Sequence, residues 1–458
     1  MLRRWSGPGG FAHVLRVGLP LVASMGSTTV MQFTDRVFLA NFSLDAISAA
    51  LPAGVAFFMF LSFFFGAVSY VGVFIAQYSG AQRPERVGAA LWQGVWFCLL
   101  SGAVMAGISF LAAPLFTAGG HPESIRLLEE RYFAILCQGG VLAILDVCLS
   151  SFYSGRGLTR VVMVVNILGA LVNIPLDYCL IYGVEGLGFP ALGIQGAALG
   201  TVSAWAFMVV LYAVLIFTGK NDRTFAVRRN WRFDRDLFTR LMRYGAPGGL
   251  EFAVDILAVS FFVFMIGRLG KVELAASNIA FSIHSLAFLP MIGLSTATSV
   301  LTGQALGAKD PAMARRATGS ALILTLGYTL TAALIFVVFP KPLIALFQAG
   351  QASREAFEPI MALCEILLRY VAVFCLIDAC SMSFFGALKG AGDAKFLLLA
   401  MLFASTACMF LPLSAAFALG AGIHVAWAIL LSFSLTLAVT LGLRYKRGQW
   451  EKLRIIES

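Results

Sequence analysis

Charge is what this chain has least of. Only 12% of its 458 residues are Asp, Glu, Lys or Arg, against about a quarter in soluble domains. So little charge cannot give the chain a water-facing surface. Histidine is scarce too, at four residues. There is no HExxH, no GxSxG on a suitable turn and no Walker A segment, so neither a hydrolytic nucleophile nor a nucleotide-driven step can be assigned. The chain is therefore not expected to be an enzyme, and no cofactor is expected. The cysteines Cys98, Cys137, Cys148, Cys179, Cys364, Cys375, Cys380 and Cys408 contain no CxxC pair and are scattered through apolar runs. They read as small buried hydrophobes, without disulfide or zinc site.

Acids are also outnumbered, 23 to 33, for a formal net charge of +10. That balance can mark nucleic-acid binding. Here the basic residues sit in short loops between apolar runs, the pattern of a membrane protein with basic cytoplasmic loops, and no nucleic-acid partner is expected.

Apolar surface is what the chain has in excess. It is 60% hydrophobic with a mean hydropathy of +0.88, so lipid must cover what one core cannot. Runs long enough to span a bilayer lie near 11–40, 46–76, 87–113, 127–153, 160–183, 191–218, 237–267, 274–304, 312–339, 358–388, 394–418 and 423–444. The start, with Arg3 and Arg4 before an apolar run, resembles a signal peptide. The run is too long for a signal core and carries Asp35, so it reads as a retained first helix.

The loops orient these spans. With the N-terminus inside, the inner segments hold all the lysines and arginines except Arg36, Arg126, Arg131, Arg268, Lys271, Lys341, Arg354 and Arg369. This asymmetry predicts both termini in the cytoplasm and a multi-pass protein of a bacterial-type inner membrane. The longest polar stretch, Gly219 to Arg243, divides the chain almost in half. The expected organisation is a six-helix lobe at 1–218, a basic cytoplasmic linker at 219–243, and a six-helix lobe with a short basic tail at 244–458.

The halves repeat. Arg16-Val-Gly-Leu-Pro20 matches Arg243-Tyr-Gly-Ala-Pro247. Gln77, Gly80, Ala81 and Pro84 match Gln304, Gly307, Ala308 and Pro311. Asp146, Cys148, Ser151 and Phe152 match Asp378, Cys380, Ser383 and Phe384, and Gly193-Ile194 with Ala197 match Gly422-Ile423 with Ala426. A unit of six helices enters the membrane twice from the same side, giving parallel repeats. The expected fold class is thus all-α and integral to the membrane, with twelve transmembrane helices in two pseudo-symmetric lobes around a central cavity. Such lobes suit alternating access.

A charge at the bilayer centre costs about 2.5–3.5 kcal/mol and needs a function or a partner. Asp35, Asp146, Asp177, Glu251, Asp255 and Asp378 fall within spans. Glu129 and Glu130 are expected at the interface, and Glu365 is expected to pair with Arg369 at i,i+4. At about 1.5 Å rise per residue, Asp35 lies late in the first helix, and Asn173 and Asp177 late in the fifth, sharing a face. The three can converge in the outer half of the first lobe, where two carboxylates and an amide suit a shared proton or a hard cation such as Na+. Glu251 and Asp255 share a face of the seventh helix, and Asp378 lies past the middle of the tenth; they suit proton or substrate binding. Plainer readings remain open. Asp146 and Asp378 can be satisfied by hydroxyls such as Ser150 or Ser381, Glu251 can sit at a helix start, and His284, alone on an apolar helix, more often marks a hydrogen-bonded core histidine than a ligand.

Four stretches carry a family resemblance: MQFTDRVFLA; GALVNIPLDYCLIYG followed by FPALGIQGAALGT; GAPGGLEFAVD; and GLSTATSVLTGQALGAKDP, with LKGAGDAK further on. They resemble the multidrug and toxic compound extrusion (MATE) family along essentially the whole chain. The resemblance implies that Asp35, Asn173 and Asp177 match the family's N-lobe cation or proton site, that Gln195 matches a weaker N-lobe position, and that Asp255 and Asp378 match the C-lobe acids. It also implies export of cationic, often aromatic, small molecules against inward Na+ or H+. A monomer in the lipid bilayer is expected. Two features depart from the family: Arg36 follows Asp35, and the eighth apolar run, 274–304, has no acid. The alternative is a flippase for a lipid-linked sugar or other amphiphile. Such flippases line their cavity with basic residues, and the intramembrane charges here are mainly acidic.

Overall fold

The computed structural model describes residues 5–184, 186, 188, 190–347 and 354–457. Arg3 and Arg4, used above for orientation, lie outside the described residues, as does the side chain of Arg354. The described residues form helices and no strand. Among the described residues, twelve helices are long and apolar enough to cross a membrane, and are called α1 to α12: Phe11–Phe42, Leu44–Gly80, Pro84–Ala118, Glu123–Ser154, Thr159–Tyr182, Ile194–Ile216, Arg235–Gly267, Lys271–Gly307, Pro311–Val338, Phe357–Ala391, Ala394–Ala418 and Ile423–Lys446. The protein is a multi-pass membrane protein. Most helices outrun the apolar runs that announced them, because polar first and last turns stay helical outside the hydrocarbon. Residues 235–243 are therefore the opening of α7 rather than linker.

Two helices are irregular. Ser69 interrupts α2, its hydroxyl donating to Gly66 O at 2.6 Å. In α11, a π-helical turn at Thr406–Phe410 precedes Pro412. Pro412 has no N–H and its ring crowds the carbonyl four residues back, which the wider turn relieves. Pro20, Pro52, Pro175, Pro247 and Pro290 lie inside continuous helices.

The chain packs as two compact units. One holds Met1–Val22 with Val254–Arg454, and the other Ala23–Ala253 with Ile455–Ser458. The first unit has a large apolar core around the buried Trp427, whose ring stacks on Phe281 at 5.2 Å and meets Phe262 edge-on at 5.8 Å. Val14 and Val17 pack with Leu294, Ala297 and Leu301. Arg444 grips Asp393 at 2.7 Å, and Trp450 stacks on Tyr445 at 5.0 Å.

In the second unit the loop between α6 and α7 is tied to α3. Trp92 Nε1 donates to Val227 O at 2.6 Å and Trp96 Nε1 to Trp231 O at 3.0 Å. The short helix Gly219–Phe225 opens this loop and presents Phe225 to Arg156. That guanidinium lies 3.9 Å from the Phe152 ring and 4.5 Å from the Phe225 ring, and burial pushes it down to about 10, opposed by the nearby Tyr153. The same unit holds Glu457, whose carboxylate accepts from Tyr78 Oη at 2.8 Å, from Arg86 at 2.6 Å and from Arg240 at 2.5 Å. Desolvation alone would raise this carboxyl. Its own backbone N–H, Tyr78, Arg86 and Arg240 overcome that and hold it at about 2.

The repeat is visible in backbone detail. Ala81 N bonds Gln77 O at 2.9 Å, and Ala308 N bonds Gln304 O at 2.9 Å; Arg83 N bonds Tyr78 O at 3.0 Å, and Asp310 N bonds Ala305 O at 2.8 Å. Both turns place a non-glycine residue in the left-handed region, Gln82 at φ 57° and Lys309 at φ 59°.

Glu129 is fully buried and holds His121 Nδ1 at 2.8 Å. One expectation is corrected. Glu365 pairs with Lys341 at 3.8 Å rather than with Arg369, because the helix carries Arg369 outward to an exposed position.

Candidate functional site

The second unit brings Asp35, Asn173 and Asp177 together. Asn173 and Asp177 are fully buried and Asp35 nearly so. One turn apart on α5, Asn173 and Asp177 share a face. The Asp35 and Asp177 carboxyls face each other, with the Asn173 amide beside Asp177. Thr201 Oγ1 from α6 donates to Asp35 Oδ2 at 3.4 Å. Asp35 Oδ1, both Asp177 oxygens and both Asn173 amide atoms make no hydrogen bond of accepted geometry. Buried polar atoms are almost always satisfied, so five such atoms in one cluster stand out.

Local packing explains the convergence. Tyr182 Oη donates to Phe38 O at 2.8 Å, and the Phe38 ring meets Tyr178 and Tyr182 edge-on at 5.9 and 6.0 Å. Lower down, Asn166 Nδ2 donates to Ser24 Oγ at 2.5 Å. These contacts latch α1 to α5 on both sides of the acids. On α6, Gly200 lies against Asp177, and a side-chain carbon there would overlap Asp177 Oδ1. Tyr132 from α4 lies near both carboxyls. Tyr132, Gly200 and Thr201 were not singled out from sequence, although Gly200 and Thr201 close the segment GAALGT. Gln195, two turns earlier on α6, is half-buried, and its side chain makes no hydrogen bond to Asp35, Asn173 or Asp177. Arg36 is exposed and forms no ion pair among the described residues. Arg131 is exposed as well.

Asp146 lies elsewhere in this unit. Its Oδ1 has no partner, since Ser150 Oγ bonds Val147 O instead. The fully buried Tyr212 hydroxyl lies near it, also without a partner. Glu251 is buried in this unit too.

In the first unit Asp378 accepts from Ser434 Oγ of α12 at 2.6 Å, not from Ser381, whose hydroxyl has no partner. Asp255 of α7 is within electrostatic reach of Asp378. His284 Nε2 of α8 stands 3.9 Å from Asp378 Oδ2 and makes no hydrogen bond. Among the described residues no group of three or more His, Cys, Asp or Glu side chains is arranged to hold a metal.

A polytopic helical membrane protein with buried, unsatisfied acids in one unit and a further pair of intramembrane acids in the other has the layout of a transporter. A solved structure described as the outward-facing conformation of a multidrug resistance MATE family transporter of the MOP superfamily superposes with a TM-score of 0.84, covering 98% of this chain and 97% of that one at 20% identity. The family model described as MatE matches residues 20–179 and 247–414, and the chain belongs to the MATE family of membrane transporters. Among curated relatives, a probable multidrug resistance protein NorM of Rhizobium meliloti strain 1021 is 26% identical, covering 91% of this chain and 89% of its own length. One of Pseudomonas aeruginosa strain PAO1 is 29% identical, covering 97% and 90%.

Proposed function

We propose that this chain is a secondary active multidrug exporter. It would carry organic cations and related amphiphiles out of the cell in exchange for inward H+ or Na+, by alternating access, as a monomer in the inner membrane with both termini cytoplasmic. The observation that carries the reading is the buried, unsatisfied group of Asp35, Asn173 and Asp177. Two facing carboxylates cannot both ionise cheaply, so the group favours binding one proton, or one Na+ if the Asn173 amide oxygen joins the coordination. Thr201 and Tyr132 would complete its surroundings. Asp255 and Asp378 would form a second acidic site, for proton or substrate, with Glu251, Asp146 and His284 as further candidates and Gln195 as the weakest. Aromatic side chains would take the flat faces of organic cations. The relatives named for multidrug resistance support the substrate class.

Expression in a pump-deficient bacterial host tests this. The wild-type chain should raise the inhibitory concentration of ethidium several-fold, and Asp177→Asn should remove the gain at equal membrane abundance. Equal sensitivity with and without the wild-type chain would count against export.

A further inference from the structure

We propose that His284 is the built-in counter-cation of Asp378, so that this pair holds one proton which an organic cation must displace in order to bind. The inference rests on the reading of the chain as a cation exporter and adds the residue that would tie cation binding to a proton.

The geometry supplies the argument. Asp378 is clamped on one oxygen by Ser434, 2.6 Å away, which leaves Oδ2 free to face His284 Nε2 at 3.9 Å. His284 is only 8% exposed, and Nε2 has no other partner. A neutral imidazole left so would waste a buried polar atom, whereas an imidazolium is drawn to the carboxylate and needs to close about 1 Å to reach the length of a charge-assisted bond. The ring is held for this by Phe374 and Phe288, with centroids at 5.0 and 5.4 Å.

The neighbouring titratable groups come from four helices. From α7 comes Asp255, near Asp378, and from α10 comes Cys375, near Asp378 and also near Tyr328 of α9. From α12 comes the Ser434 hydroxyl, while His424 of that helix stacks on Tyr370 instead. Among the described residues, no lysine or arginine forms an ion pair with Asp255 or Asp378. Among the described residues, His284 is thus the cation-forming side chain in ion-pair range of Asp378. Its aromatic neighbours would serve an incoming aromatic cation equally well. When such a cation reaches Asp378, the imidazolium is repelled. Its Nε2–H bond breaks, the proton goes to water, and the electron pair stays on the ring. Reprotonation reverses the exchange, one proton for one cation.

Calorimetry of ethidium binding to the full-length chain in detergent tests the pair, in buffers of differing ionisation enthalpy between pH 5 and 8. The wild type should release about one proton per ethidium, and its Kd should rise about tenfold per unit fall in pH on the acid side. His284→Gln should release close to none and bind with a flat pH profile. His284→Lys, which keeps a fixed cation beside Asp378, should bind weakly at every pH and covers the case in which the glutamine variant does not fold. Wild-type-like proton release by His284→Gln would overturn the pair while leaving cation export standing. Ethidium binding by the wild type with no proton release at any pH would also overturn the pair. No ethidium binding at all would overturn the exporter reading with it.

Discussion

Asp177 sits where three helices decide its surroundings. Its own helix supplies Asn173, α1 supplies Asp35, and α6 supplies the space left by Gly200. Gly200→Ala should therefore act as a site mutation although alanine is a better helix former. The methyl group would overlap Asp177 Oδ1, and displacing that carboxyl should cost about 1–3 kcal/mol. Ethidium efflux should fall at least tenfold with only a modest loss of thermal stability; unchanged efflux would show that the carboxyl position is unimportant. Asp35, Asn173 and Asp177 were legible in the sequence because charge is rare in apolar runs and depth follows from residue count. Thr201 and Tyr132 were not, since a hydroxyl on an apolar helix carries no such signal and its partner depends on how helices are rotated against each other. The partner of Glu129 was not legible either: His121 lies before the helix begins, where helical spacing says nothing.

At the scale of elements, the paired turns after α2 and α8 give a stability prediction. Gln82 and Lys309 hold φ values of 57° and 59°, a conformation that costs a side-chain-bearing residue about 1–2 kcal/mol. Gln82→Gly and Lys309→Gly should each raise the stability of the purified protein by about 0.5–1 kcal/mol, after glycine's greater unfolded-state entropy is offset. Destabilisation by either would mean that the side chain makes a contact outweighing the strain. The number and order of the helices were legible from apolar runs alone, and the matched turns from a four-residue identity. The break at Ser69 and the π turn before Pro412 were not, because proline inside a run is tolerated elsewhere in this chain without one.

A larger-scale tie is the Glu457 carboxylate, which holds side chains from α2, α3 and α7. Its folded value of about 2 lies below the ordinary 4.5, so its contribution to stability is complete above pH 4.5 and is lost as pH falls towards 2. Thermal melts across that window should show a loss that Glu457→Gln lacks, the variant being less stable at neutral pH. Parallel acid limbs in the two proteins would contradict the assignment. Nothing in the sequence marked this carboxylate, since its partners lie some 217 to 379 residues earlier.

For the whole molecule, we propose that the buried acids of the second unit drive export by exchanging an external cation. Uptake of a fluorescent organic cation into everted vesicles, energised separately by a pH gradient and by a Na+ gradient, tests it most directly. The wild type should take up the cation under one of the two gradients, and Asp35→Asn under neither. Full uptake by Asp35→Asn under the wild-type gradient would contradict it and move coupling to Asp255 and Asp378.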